Sequence, residues 1–286
     1  LMNQLGETDC IKWNHKLLHF NENNQKQISL TFNVNGAIKT TFADIVVGAD
    51  GIRSTVRNQI INKDKPLRYL GCMVILGICQ LKDIHTNNRS LLDGATVFQT
   101  ANGNERIYVM PYDDKSVMWQ LSFPISEEKS KELSFNGAEA LKNEACKRIN
   151  WHNPIPQILT ATPTNKITGY PVYDRTPLTT ELFETTSGVT LIGDAAHPMS
   201  PFKGQGANQA MLDALSLAQA IYTNGNSFAN WQLNGIKNTI LKQFEIEMIQ
   251  RSTVKVTDSA VAAQLLHSEI VLHESNQPRG SVLKQM

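Results

Sequence analysis

Two aspartates carry the first chemical signal in this sequence. Asp50 follows the apolar run Ala43-Asp-Ile-Val-Val47 and two small residues, and Asp194 follows Val189-Thr-Leu-Ile192 and Gly193. A carboxylate just past the end of a buried strand is placed to accept hydrogen bonds from sugar or polyol hydroxyls, and adjacent glycines let a ligand approach the backbone. The alternative for either residue alone is a turn aspartate or a helix cap. Beyond Asp194 the chain reads Ala-Ala-His-Pro-Met-Ser-Pro-Phe-Lys-Gly-Gln-Gly-Ala-Asn-Gln-Ala210. Gly204 and Gly206 expose backbone N–H groups where a helix begins, and free donors at the positive end of a helix dipole attract an anion. As a GxGxxG fingerprint the stretch fails. Gln209 stands in the third glycine's place, and no strand directly precedes Gly204.

Other reactive residue types admit two readings each. Arg53 and Arg57 could meet a pyrophosphate or a nicotinamide-dinucleotide phosphate, or make surface ion pairs. His197 could serve as a base near neutral pH or brace its loop with a hydrogen bond. His15 and His19 have the spacing of a helical zinc pair, but Lys16 replaces the glutamate of HExxH and the flanks are strand-like, so no metal is assigned. Cys10, Cys72, Cys79 and Cys146 form no CxxC pair and read as reduced apolar thiols in a cytoplasmic setting. No GxSxG surrounds any serine, which removes the α/β-hydrolase reading.

The elements that must position these residues follow from periodicity. Gln27–Val34 alternates polar and apolar, Asn35-Gly36 is a type I′ hairpin signal, and a second strand leads into Ala43–Val47. Ser54–Asn58 reads as a helical turn. Met73–Ile78, Thr96–Gln99, Arg106–Met110 and Ser116–Phe123 are strands spaced by turn residues, which describes an antiparallel sheet. In the last of these, alternation sets Met118 and Gln120 on one face against Val117, Trp119 and Leu121 on the other. Ser126 caps a charged helix pair running to Asn150. Trp151–Leu178, rich in proline, reads as a connector with one strand near Ile167–Val172. Val189–Ile192 is a short buried strand, and Ala207, Ala210, Met211, Ala214, Leu215, Ala218 and Ile221 recur at helical spacing. Residues 229–272 continue as amphipathic helices.

Length and composition set outer limits. The 286 residues, 41% hydrophobic and 19% charged, make a globular chain long enough for one large or two ordinary domains. Twenty-seven basic against 26 acidic residues leave +1, so no global field draws nucleic acid or an anionic membrane. No run approaches the roughly 18 apolar residues of a membrane span.

The segment Gly193–Asp213 resembles the GD signature of the group A flavin-dependent aromatic hydroxylases, the class of p-hydroxybenzoate hydroxylase. Asp50-Gly-Ile-Arg-Ser-Thr-Val-Arg57 resembles their DG signature, Asp-Gly-x-x-Ser-x-x-Arg. Both stand in the family's order, and within it the chain is similar to the tetracycline-inactivating and salicylate-hydroxylase-like members. The resemblance implies an α/β fold: an incomplete Rossmann-like FAD-binding domain (1–62, resumed at 181–225), an inserted antiparallel substrate domain (63–180) and C-terminal helices (226–286). It implies FAD held along Asp50, Gly51, Arg57, Asp194, Pro201, Gly204, Gly206, Ala207 and Asn208. Asp194 would take the ribityl chain, Pro201 would lie near the isoalloxazine, and N–H groups at 206–208 would face its N1 and C2 carbonyl. Gln99, Arg106, Met118 and Gln120 lie on strands of the middle sheet, which covers the flavin in that family; they either line a substrate pocket or belong to a sheet core with two solvated amides. Gln99, Met118, Gln120 and Pro201 are the expected substrate contacts.

The implied reaction takes electrons from NADH or NADPH and oxygen from O2. A flavin C4a-hydroperoxide then hydroxylates a small aromatic or polycyclic phenol, while the protein orients and excludes water. One departure matters: the family opens with a GxGxxG βαβ unit, and the present chain starts where the family is roughly a hundred residues along. The expectation is therefore an amino-terminally shortened chain that binds FAD poorly and purifies colourless. The competing expectation is a non-catalytic remnant or interaction module.

Overall fold

In the computed structural model of the chain, Asn35 and Gly36 take φ of 53° and 91°, the left-handed pair that a type I′ hairpin demands. Residues 10–23, 27–61, 66–86, 90–225, 231 and 234–273 are described. The hairpin joins β2 (Ile28–Val34) to β3 (Ala37–Ala43), and β1 (His15–Glu22) pairs on the other side of β2 to complete a three-stranded antiparallel sheet. The expected single strand Ala43–Val47 is broken. β3 ends at Ala43, and β4 (Val46–Gly48) begins after a two-residue gap, its Val46 N–H donating to Gly188 O at 2.8 Å. The break lets the chain leave an antiparallel sheet and enter a parallel pairing with β10 (Val189–Leu191).

The chain divides into two units. The first comprises Leu1–Pro66, Arg175–Met199 and Gly204–Val256, and the second Leu67–Asp174, Ser200–Lys203 and Thr257–Met286. The first unit holds the three-stranded sheet, the β4–β10 pair, α1 (Thr55–Ile60) and α5 (Gly206–Gly225), around a core that includes Ile28, Val46, Phe183, Leu191, Leu217 and Phe244. The long helix α6 (Lys242–Leu265) contributes to it as far as Val256, preceded by a π-turn at Lys237–Leu241.

The second unit is built on a five-stranded antiparallel sheet in the order β6-β7-β8-β5-β9: Phe98–Ala101, Arg106–Asp113, Ser116–Pro124, Arg68–Gln80 and Ile167–Asp174. Helices α2 (Glu127–Phe135), α3 (Gly137–Arg148) and α4 (Ile155–Ala161) belong to the same unit. Its core centres on Trp119, which is fully buried and donates its indole N–H to Thr162 Oγ1 at 2.9 Å. Ser126 caps α2 as expected. The proline-rich connector conceals α4, however: Pro154 sits at its N-cap and Pro156 in its first turn. There a missing N–H costs nothing, so prolines that suggest irregular chain are compatible with a helix start.

Candidate flavin site

Where the two aspartates lie depends on one pairing. β4 and β10 run parallel, with Val46 opposite Val189 and Gly48 opposite Leu191, and Ile192 N–H donates to Gly48 O at 3.0 Å. Parallel neighbours end on the same edge, so the turns bearing Asp50 and Asp194 emerge side by side in the first unit.

The two carboxylates then serve different ends. Asp50 caps α1: Oδ2 accepts from Thr55 N–H at 2.7 Å and Val56 N–H at 3.3 Å, and Oδ1 accepts from the Ser54 hydroxyl. Gly51 beside it takes φ +78° with nothing within 4 Å of where a Cβ would stand, so its face is open. Asp194, by contrast, is exposed and makes no hydrogen bond to any described residue. Partial desolvation raises its pKa above the ordinary carboxylate value, and His197 opposes that rise.

Helix α5 starts directly under Asp194. A Cβ on Gly206 would lie 4.0 Å from Asp194 Oδ1 and 3.8 Å from Met199 Cγ, so the carboxylate overhangs the first residue of the helix. Ala207 and Asn208 are exposed, and the first backbone donor committed at this end is Gln209, to Gln205 O at 3.0 Å. Gly204, at φ +61°, has open space where its side chain would be. The start of α5 therefore presents uncommitted N–H groups and its positive dipole end.

Arg57 corrects one expectation. It makes no surface ion pair, being only 1% exposed, and its Nη1 donates to the carbonyls of Ala195 and Ala196 at 3.0 and 2.6 Å. Helix α1 aims the side chain at the back of the 193–196 turn, whose carbonyls need donors. Burial, with Arg175 nearby, brings its pKa down to about 10. Its Nη2 is buried without a hydrogen-bond partner. His197 is likewise a brace: it is buried, with Nε2 2.6 Å from Asp213 Oδ2.

These features fit a flavin. An uncommitted carboxylate suits ribityl hydroxyls, open glycines admit a flat ring close to the backbone, and a helix start stabilises negative charge that grows on reduction. Asp194, Gly204, Gly206, Ala207 and Asn208 are brought together. Asp50 spends its oxygens on its own turn, so its neighbourhood offers the open backbone at Gly51 instead.

The expected substrate residues lie in the second unit. Val117, Trp119, Leu121 and Phe123 of β8 enter the core, which leaves Met118, Gln120 and Ser122 on the opposite face. On that face the register sets Arg106 opposite Ser122, Tyr108 opposite Gln120, and Gln99 opposite Tyr108. Arg106 is buried and donates Nε and Nη2 to Gln99 Oε1 at 3.2 and 3.0 Å, with its guanidinium 5.4 Å from the Tyr108 ring centre. His267 docks on the same face, its Nε2 2.9 Å from Ser122 Oγ and its ring 5.2 Å from that of Phe202. Pro201 is exposed and opens the short Pro201–Lys203 turn. An open hollow of about 290 Å³ elsewhere in this unit, lined by Asp83, His85, Pro156, Gln157, Thr160 and Ala161, contains none of these residues.

Sequence reasoning missed Asp213, Arg251 and His267. Asp213 did close the Gly193–Asp213 signature segment and is the one acid between Ala207 and Ile221, but no role was read from it.

The family model described as FAD binding domain matches residues 2–230, and the chain belongs to that family. It is 32% identical over 181 residues to aurachin C monooxygenase/isomerase of Stigmatella aurantiaca, covering 62% of this chain and 42% of that protein. It is 30% identical over 177 residues to 3-amino-4-hydroxybenzoate 2-monooxygenase of Streptomyces cremeus, covering 61% and 40%. The chain thus spans less than half the length of these two relatives. The fold is shared with Klebsiella pneumoniae HpxO, solved with FAD and uric acid: TM-score 0.72 at 18% identity, over 90% of this chain and 59% of that one.

Proposed function

We propose that this chain carries the flavin-gripping and substrate-facing parts of an NAD(P)H-dependent aromatic hydroxylase. The observation that carries the reading is the parallel β4–β10 pairing, which sets the two signature turns side by side and leaves Asp194 uncommitted above an open helix start. FAD would be held by Asp194, Gly204, Gly206, Ala207 and Asn208, with Gly51 as an open backbone contact and Arg57 behind the turn. When bound and reduced by NADH or NADPH, FAD supplies the electrons that let one atom of O2 enter the ring while the other leaves as water. The protein's own share is to orient ribityl hydroxyls at Asp194, to stabilise ring charge at α5, and to seat the substrate. Gln99, Met118, Gln120 and Pro201 are the proposed substrate contacts, with Arg106 beside Gln99.

The substrate class is a small aromatic or a polycyclic phenol. The Streptomyces relative is named for an aminohydroxybenzoate, and the fold-sharing HpxO was solved with uric acid, another planar molecule. The test titrates the chain with FAD by fluorescence quenching, then follows NADPH and NADH oxidation with an aromatic panel. Weak but saturable quenching, reached only at high FAD concentration, is expected, with substrate-stimulated oxidation under the same conditions. Quenching without oxidation by any compound would favour a non-catalytic module, and no quenching at all would defeat the flavin reading.

A further inference from the structure

We infer that Asp213 is a positioning residue for flavin binding: it fixes the Gly193–His197 turn from the α5 side while Arg57 fixes it from behind. The inference rests on the flavin reading above. Asp194 makes no hydrogen bond of its own to any described residue, so its direction is set by the backbone that carries it. That backbone begins at Gly193, at φ +57°, where a Cβ would come within 3.2 Å of Ala210 Cβ.

Two oppositely charged groups hold it. Asp213, fully buried on α5, accepts Gly193 N–H at 2.8 Å and His197 Nε2 at 2.6 Å on one oxygen, and an Arg251 amino group on the other. Arg251 Nε is in turn held by Gln209 Oε1 at 3.0 Å. On the far side, Arg57 Nη1 takes the carbonyls of Ala195 and Ala196. The turn thus offers N–H groups to a carboxylate and carbonyls to a guanidinium, which matches the polarity of the peptide groups at its two ends.

The chemistry leaves little latitude. A carboxylate oxygen only accepts, so His197 presents Nε2–H to Asp213, and its Nδ1 is buried without a partner among the described residues. Asparagine at 213 could keep its one oxygen on Gly193 and His197 and turn its NH2 only on Arg251. Leucine has the same branching and accepts nothing, so it leaves all three donors without their acceptor. His197 has no relief in its other tautomer, because Nδ1–H would face no acceptor. An apolar side chain of this shape therefore releases the turn.

The test uses the whole chain with two measurements. In the flavin-free protein, hydrogen exchange should show the Gly193 amide protected like the interior of α5. In Asp213→Leu it should exchange at least about 100-fold faster, with the five-stranded sheet unaffected. In parallel, the FAD dissociation constant, measured well below the melting temperature, should rise by about tenfold or more. A side chain that merely filled the core would lower the Tm and leave that constant alone. Should Asp213→Leu not fold, Arg57→Lys, which can reach only one of the two carbonyls, should weaken FAD binding by about fivefold. Unchanged Gly193 protection overturns the inference, as does a freed turn with unaltered FAD affinity. If the unmodified chain shows no saturable quenching, the flavin reading falls and takes this role with it. Equal binding by parent and variants removes the positioning role alone.

Discussion

Asp194 pays for its availability. A carboxylate left unpartnered beside protein mass is harder to ionise, and its pKa sits above the ordinary 3.8. The sign of the consequence follows from proton counting. As pH rises from about 4, the unfolded chain releases this proton first, so the folded state loses stability until the raised pKa is passed. Asp194→Asn should therefore flatten that part of the stability profile. It should gain about 0.5 kcal/mol or less at neutral pH, since the group is exposed. Flavin affinity should move the other way. In the unmodified chain it should climb with pH as Asp194 ionises and reach a plateau by neutrality, whereas Asp194→Asn should bind at least about tenfold more weakly with no such climb. Urea melts and fluorescence titrations from pH 4 to 8 separate the two effects. A variant that loses stability and keeps its FAD affinity would contradict the role given to this carboxylate.

At the level of elements, local chemistry decides two further outcomes. Asp50 and Ser54 together satisfy the first N–H groups of α1, so Asp50→Ala should cost the first unit about 1 kcal/mol, read as a shift in the urea midpoint at constant slope. In the second unit, burial, aided by Arg106, depresses the pKa of His267 below the ordinary 6.5, although hydrogen bonds with Ala263 and Ser122 and the charge of Glu105 oppose it. Below that pH the unfolded chain takes up the proton more readily, so stability should fall as the solution is acidified, and His267→Gln should remove that dependence. An acid limb that survives the substitution would assign it to other groups.

The same elements mark what a sequence can disclose. The Asn35-Gly36 hairpin, the cap at Ser126 and the alternation along β8 are legible because each depends on residues within a few positions of one another. The convergence of Asp50 and Asp194 was inferable from two similar strand ends, since parallel strands share an edge. Asp213 was not, because its partners stand 16, 20 and 38 residues away and only the folded backbone joins them. Nor was the buried face of α5: its apolar spacing announced a helix, yet Met211 and Leu215 are 61% and 56% exposed while Gln209 and Asp213 are buried. The polar residues lie inward because they hold the turn.

Across the whole molecule, that inversion meets a nearly neutral charge. Met211, Leu212, Leu215 and Tyr222 place a stripe of exposed apolar surface on α5, and a net charge of +1 gives little mutual repulsion between copies. Together they predict concentration-dependent self-association just above neutral pH, weakening as acid or base moves the net charge from zero. Salt should change it little, because apolar contact rather than ion pairing drives it. The double substitution Met211→Gln with Leu215→Lys replaces two side chains already in water and touches neither Asp213 nor the turn it holds. Light scattering across a concentration series should then show the association reduced, with stability changed by no more than about 0.5 kcal/mol. FAD affinity should stay within twofold, since the stripe starts one turn beyond the residues assigned to flavin. If association persists undiminished, its cause lies on another surface, and the exposed Ile38 and Phe42 of β3 are next to substitute.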